Sequence, residues 1–279
     1  MLQKVNARIM MLLFSAALTW LLFSCATSQD RESNTETKQA QADFIAPNPD
    51  ILRVGVSTNA PPLIYKQDSE IVGLEAELAK KFGEYLGKSV VFVEIEWEDQ
   101  ISSLIANKTD IIMSGMTITR KRRFRIEFSK PYFRTGQMAL IHNKFLNRIP
   151  HNYYGIMGLS IVARFGVVKG TVGETFVQQN FGQAKEIVHY KTSRQAVSDL
   201  LEGRIDLLIH DGPIILMLAA ENETEGLSEI PSLLSEEYLA WGIRKNDLEL
   251  LEAANNFIDT MIKEDKLDPI INRWIPFKE

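Results

Sequence analysis

Cysteine is almost absent from this chain. Cys25 stands alone among 279 residues, so neither a disulfide framework nor a cysteine-based metal site can form within one copy. Histidine is nearly as scarce. His142, His151, His189 and His210 are scattered, with no H-E-x-x-H spacing to hold a metal. A G-x-S-x-G elbow, a P-loop and a dinucleotide fingerprint are also missing, and Gly170-Thr171-Val172-Gly173 is too short a glycine motif to imply phosphate. Positive charge is in deficit, at a net −5, which argues against nucleic acid as a partner. The one basic cluster, residues 120–125, is interrupted by Phe124 and is too short to track a phosphate backbone. The expectation is therefore of no enzyme, no metal and no cofactor.

The chain opens instead on a targeting pattern. Lys4 and Arg8 precede an apolar run over residues 9–23, which is shorter than the ~20 residues a bilayer span needs. The run stops at Leu21-Leu22-Phe23-Ser24-Cys25. A small residue before a cysteine at that point resembles a lipobox, the bacterial lipoprotein signal whose cysteine is acylated and becomes the mature N-terminus. A plain signal peptide with an incidental cysteine is the alternative. The sole cysteine lying where the run ends favours lipidation at Cys25, and with it a cell-envelope protein anchored to a membrane by palmitate-type lipid. Residues 1–24 are read as signal peptide, and losing Lys4 and Arg8 with it takes the net charge from −5 to −7. Residues 25–50 are polar, with hardly a large apolar side chain before Phe44. They cannot bury enough surface to offset chain entropy and are read as a flexible tether.

Folded structure is expected from Ile51. Leu52-Arg53-Val54-Gly55-Val56 alternates as a strand, and residues 73–86 carry apolar side chains at helical spacing. A strand over 90–95, a helix over 100–107 and a strand over 110–113 complete a βαβ rhythm, which predicts a parallel sheet. A second series follows: strands over 138–142, 165–168, 186–189 and 206–209, with helices over 173–180, 193–202 and 213–220. A strand over 238–244 crosses back, and helices over 247–263 and 266–274 close the chain. Ligands of such sheets sit at the carboxyl ends of the strands. Ser114-Gly115 breaks the strand ending at Met113, and Thr119 is placed to cap a short helix opening at Arg120. Hydroxyls, unpaired N–H groups and cations gathered at one strand end suit a carboxylate, although an ordinary strand–turn–helix junction has the same spacing.

The run Ser114-Gly115-Met116-Thr117-Ile118-Thr119, then Arg122, then Phe128-Ser129-Lys130-Pro131-Tyr132, resembles the S-G-M-T-I-T-P-E-R and F-S-x-P-Y signature of the family 3 bacterial extracellular solute-binding proteins. Leu52-Arg53-Val54-Gly55, residues 73–79, residues 166–171 and residues 241–245 also fall at the family's positions, so the likeness runs from Ile51 to Pro276. Arg120-Lys121 replaces the usual Pro-Glu, which leaves Arg123 as an alternative to Arg122 for the family's arginine. The resemblance implies an α/β, two-lobed periplasmic-binding-protein-like fold of type II, with a ligand cleft between lobes joined by two crossing segments. Lobe 1 would comprise residues 51–141 with 237–279, and lobe 2 residues 142–236. Residues 143–163 are unlike the family's short connector.

The implied function is capture of a free amino acid for an ABC-type permease by a monomer. A zwitterion buried without partners costs several kcal/mol for each charge, so donors and acceptors must be supplied. Arg122 is expected to meet the carboxylate bidentately, completed by backbone N–H groups of Thr171 and Val172. The ammonium would meet the Gly115 carbonyl, the Thr117 hydroxyl and Asp211, with Ser114 and Met116 flanking. Asp211 before Gly212-Pro213 could equally be no more than a helix N-cap. Trp97 stands where relatives place an aromatic over the ligand side chain, and Asn59 and His210 join the expected contacts. Ser57 replaces the acid of cationic-amino-acid receptors, while Ala60 and Leu63 replace their aromatics, so a neutral polar or small amino acid is favoured. The competing readings are a sensor ectodomain and a cyclohexadienyl dehydratase-like enzyme on the same fold, for which Glu174 is the candidate acid.

Overall fold

The structure is a computed structural model that describes residues 46–146 and 152–275. The signal peptide, Cys25 and most of the tether lie outside the described residues. Pro47–Glu279 is one unit.

Its strands are, in order, β1 (Ile51–Val56), β2 (Asn59–Ala60), β3 (Ile64–Gln67), β4 (Glu70–Val72), β5 (Ser89–Glu94), β6 (Ile111–Ile112), β7 (Glu127–Phe128) and β8 (Phe133–Thr135). After them come β9 (Gln137–His142), β10 (Arg164–Val168), β11 (Glu186–Tyr190), β12 (Leu207–Asp211), β13 (Leu227–Ile230), β14 (Glu237–Leu239) and β15 (Gly242–Ile243). Two five-stranded sheets form, in the orders β5-β1-β6-β15-β7 and β11-β10-β12-β9-β13. In each, the first three strands are parallel and the last two pairings antiparallel. Parallel neighbours need a crossover. The helices Leu74–Leu86 and Gln100–Ile105 supply it in the first sheet, Val172–Asn180 and Ser193–Leu201 in the second. Each sheet therefore reverses its winding beside its central first strand, β1 or β10, which opens a crevice at the carboxyl ends.

Both sheets share a second feature that pattern reading did not foresee. Arg53 of β1 is fully buried and clasps Asp110, just ahead of β6, through Nη2–Oδ1 at 2.7 Å and Nε–Oδ2 at 3.1 Å. Arg164 of β10 clasps Asp206, just ahead of β12, at 2.8 and 3.0 Å through the same atoms. In both cases the arginine's own backbone N–H also donates to the aspartate, at 2.9 and 2.8 Å. A planar guanidinium matched to a carboxylate fixes strand register as well as charge.

The segments between the sheets are β8 and β14, an antiparallel two-stranded ribbon, with Thr117 bridging to Leu239 beside it. A side chain at Gly136 would overlap the Ser235 carbonyl, so glycine is needed where the two segments pass. The expected lobe limit at Ile141 needs correction. β9 pairs with β12 and β13, so residues 137–142 belong to the second sheet rather than leaving the first. The single strand expected over 238–244 is two short ones, β14 in the ribbon and β15 in the first sheet.

The β2-β3-β4 meander was not anticipated, because its turn is Asp68-Ser69 rather than Asn-Gly. Both residues nonetheless take the positive φ of a primed turn, 48° and 70°. In the atypical stretch, Asn143–Leu146 and Tyr153–Leu159 are short helices. Trp241 anchors the core of the first sheet at 0% exposure, packed 5.4 Å from Phe82 and 5.9 Å from Tyr132 and Phe257, centroid to centroid. Burying rings of this kind contributes about 2–3 kcal/mol each.

Candidate functional site

A narrow cleft with about 50 Å³ of enclosed space, opening to solvent at its mouth, lies where the carboxyl ends of the two sheets face each other. Ser57, Asn59, Trp97, Ser114 and Gly115 line it from the first sheet's side, and Thr171, His210 and Asp211 from the second's. Local chemistry explains why the strands end there. Ser57 N–H donates to Ser114 Oγ at 2.9 Å, tying the end of β1 to the end of β6. Gly115 takes φ +67°, where a side chain would also press on Leu63, so only glycine fits without strain. Its N–H is held at 2.6 Å by Glu75, a buried carboxylate that also accepts from Tyr132 Oη at 2.7 Å and Trp241 Nε1 at 3.0 Å. Burial, only partly offset by these donors, pushes Glu75 up to about 7.

The Thr119 hydroxyl caps the helix Arg120–Arg123 by accepting from Arg122 N–H at 3.2 Å, as expected. That turn sends Arg122 inward and leaves Arg123 exposed. Arg122 Nη1 donates to the Thr117 carbonyl at 2.7 Å and Nη2 to the Gly170 carbonyl at 3.2 Å, while the guanidinium lies 5.2 Å from the Trp97 ring centroid. Trp97 Nε1 donates to the same Gly170 carbonyl at 3.0 Å. Groups from the first sheet thus already touch the second across the cleft. Burial lowers the Arg122 pKa, against the opposing charges of Asp211 and Glu237.

Asp211 precedes the helix Gly212–Glu221, but its side chain makes no capping bond. Its Oδ1 instead accepts from Gln137 Nε2 at 2.6 Å, and its Oδ2 lies 3.6 Å from His210 Nδ1. Burial pushes the Asp211 carboxyl up, while His210, Gln137 and Arg122 more than offset this and hold it below its ordinary value.

Thr117 is buried behind the cavity wall, where its hydroxyl donates to Glu237 Oε2 at 3.3 Å. Thr171 gives its hydroxyl to the turn, donating to the Val168 carbonyl at 2.7 Å and accepting from Glu174 N–H. Val172 opens the following helix, half-buried and outside the lining. Met116 is a correction. After the left-handed Gly115, its carbonyl accepts from Ala240 N–H, and its side chain packs at 1% exposure with Leu104, Ile112, Ile126 and Phe128.

Two buried partners of the site's charged groups were missed. Glu237 is 7% exposed and accepts from Thr117, Gln137 Nε2 (3.1 Å) and Ser235 Oγ (2.7 Å); burial and the charge of Asp211 raise its pKa. Gln137, wholly buried, bridges the two carboxylates. Glu237 lies on the connecting ribbon and Gln137 opens β9 directly after it, where no periodic pattern marks them. Glu96 and Lys191 at the cavity wall were also unforeseen, as was Ser193. The Ser193 hydroxyl is buried with no hydrogen-bond partner among the described residues. Among the described residues, no three His, Cys, Asp or Glu side chains cluster to hold a metal.

Residues 52–277 match the family model of the bacterial extracellular solute-binding proteins, family 3. The L-cystine-binding protein TcyJ of Escherichia coli (strain K12) is 27% identical over 227 residues, covering 80% of this chain and 82% of that protein. The histidine-binding periplasmic protein of the same organism is 29% identical over 238 residues, covering 82% and 89%. Among solved structures, the ancestral amino acid-binding protein AncCDT-1, a precursor of cyclohexadienyl dehydratase, aligns with a TM-score of 0.72 at 29% identity, over 81% of this chain and 95% of that one. The two-lobed architecture is that of the type II periplasmic binding proteins. By its sequence match and its fold, the chain belongs to the family 3 bacterial extracellular solute-binding proteins.

Proposed function

We propose that this protein is a lipid-anchored receptor that captures a free amino acid between its lobes and delivers it to an ABC-type permease. The observation that carries this reading is the electrostatic reach between the Arg122 guanidinium, which lies outside the cavity lining against Trp97 and the Gly170 carbonyl, and Asp211, which lines the cavity from the opposite sheet. In this reading the ligand carboxylate takes the Arg122 donors now given to the Gly170 carbonyl, and the N–H groups of Thr171 and Val172 complete its shell. The ammonium meets Asp211. Because the two half-sites lie on different lobes, the ligand stabilises only the closed form, and closure is a population shift driven by that difference. The lobes are taken to pivot at the β8/β14 ribbon.

For the side chain, Ser57, Asn59 and the unpartnered Ser193 hydroxyl favour a neutral polar amino acid. A catalytic role for Glu174 has less support. Its Oε2 accepts the Gly170 N–H at 2.8 Å, its Oε1 faces His189 Nε2 at 3.2 Å, and it is outside the cavity lining.

A thermal-shift screen of the chain from residue 26 onward against the twenty amino acids tests the receptor reading. The true ligand at a hundred times its dissociation constant is expected to add ~2.7 kcal/mol to stability. A flat screen together with turnover of prephenate would hand the site to the enzyme. The anchor has its own test. Cys25→Ser is expected to move the protein from the membrane fraction to the soluble one, and retention in membranes would refute lipidation.

A further inference from the structure

The turn that lays Arg122 against Trp97 sends its other cations out to solvent. Arg120, Lys121, Arg123 and Arg125 are all exposed, and none forms an ion pair among the described residues. Most arginines elsewhere differ, since Arg53, Arg134, Arg164, Arg204, Arg244 and Arg273 each hold a carboxylate, and exposed Arg194 is an isolated exception. In the middle of the four stands Phe124, at 84% exposure the most solvent-exposed of the large apolar side chains described. Exposed Lys245 lies 5.8 Å from its ring centroid and extends the patch. The backbone beneath is fixed, through Arg123 N–H to the Thr119 carbonyl and Phe124 N–H to the Arg120 carbonyl, so the side chains project from a firm base. A concentrated positive patch on a chain of net charge −5 asks for an anionic partner.

We propose that this turn is a membrane-contact surface for anionic lipid headgroups, with Phe124 entering the interfacial layer. The size of the patch favours lipid over protein. A stable protein interface needs about 800 Å² and roughly 20–30 residues per partner, whereas this turn offers a handful of side chains. Attraction to an anionic bilayer asks for no such complementarity; it accumulates cation by cation, and an aromatic ring settles at the headgroup level. The location adds a consequence. Arg122 of the same turn lies against Trp97 and reaches the Gly170 carbonyl, so lipid contact here turns the cleft mouth towards the bilayer. That orientation serves the receptor reading, but the contact itself does not depend on it.

The test uses the chain from residue 26 onward, which cannot be acylated at Cys25 and retains every described residue. Co-sedimentation is measured with vesicles of phosphatidylethanolamine alone and with phosphatidylglycerol added. Binding is expected only to the anionic vesicles and is expected to fall in high salt. Neutralising Arg120→Gln, Lys121→Gln, Arg123→Gln and Arg125→Gln should weaken it by roughly fivefold for each cation removed. Phe124→Ser should leave a weaker binding that is more completely abolished by salt. All variants keep Arg122 and should retain the parent's melting temperature and its amino-acid-induced shift. Equal sedimentation of parent and quadruple variant overturns the proposal. So does capture of the patch by purified permease without any vesicle binding, which would assign it to an acidic protein face. Failed vesicle binding beside an intact amino-acid shift removes this surface alone, and a lost shift beside intact vesicle binding removes only the receptor reading.

Discussion

Arg122→Ala is expected to weaken amino-acid binding by more than tenfold, with the fold retained. The guanidinium makes two carbonyl hydrogen bonds within a buried site and stands close enough to Asp211 and Glu237 to influence both. Each hydrogen bond from a charged donor to a ligand carboxylate contributes about 1.5–3 kcal/mol, and a bidentate pair offers two. Removal also leaves two buried carboxylates facing each other without their shared cation, and both would then rise in pKa. Arg122→Lys separates the contributions, because it returns the charge without the planar fork and should recover only part of the affinity. Isothermal titration of parent, alanine and lysine variants against the ligand found by thermal shift decides the matter. An unchanged dissociation constant for the alanine variant would place the carboxylate elsewhere in the cleft.

The second large effect concerns Glu75 and pH. Its pKa is raised from 4.5 to about 7 in the folded protein, chiefly by burial. A carboxyl raised on folding contributes stability that is fully present below the unfolded value near 4.5 and is lost as pH climbs to about 7. The size is up to ~3 kcal/mol, at 1.36 kcal/mol per unit of pKa. Glu237 has the same sign. His142, lowered by burial and by Lys144, has the opposite one. Asp110, Asp206 and Asp211, all depressed, contribute below this window. Comparing the parent with Glu75→Gln isolates the one group. Denaturant midpoints between pH 5 and 8 should fall in the parent and change less in the variant, and identical slopes would show that Glu75 does not titrate there. The amide also faces Trp241 Nε1 with one donor too many, so the variant should be less stable than the protonated parent at pH 5.

Much of the fold was legible because its working parts are periodic. The strands of both parallel series and the helices between them alternate or repeat at helical spacing, and they lie within a few residues of their expected limits. What escaped was short or built by turns: the meander about Asp68-Ser69, the two-residue β7, and edge strand β13, which pairs with β9 from far along the chain. At the candidate site, motif and spacing pointed to Arg122 and Asp211; Asp211 lines the cavity, while Arg122 lies beside it, outside the lining but near enough to feel the Asp211 charge. They could not separate Met116 from its neighbours, because the backbone reversal at Gly115 decides which way that side chain faces. Nor could they find Gln137 and Glu237, which meet only when the first residue of β9 packs against the connecting ribbon.

In the paired clasps Arg53–Asp110 and Arg164–Asp206 the aspartate sits at the amino end of β6 or β12, away from the cleft. Each half of the molecule therefore carries its own alignment mark, set without reference to the other half. Slippage between neighbouring strands is closed off as a way of absorbing motion, so the amplitude of any opening is left to the bending of one narrow ribbon.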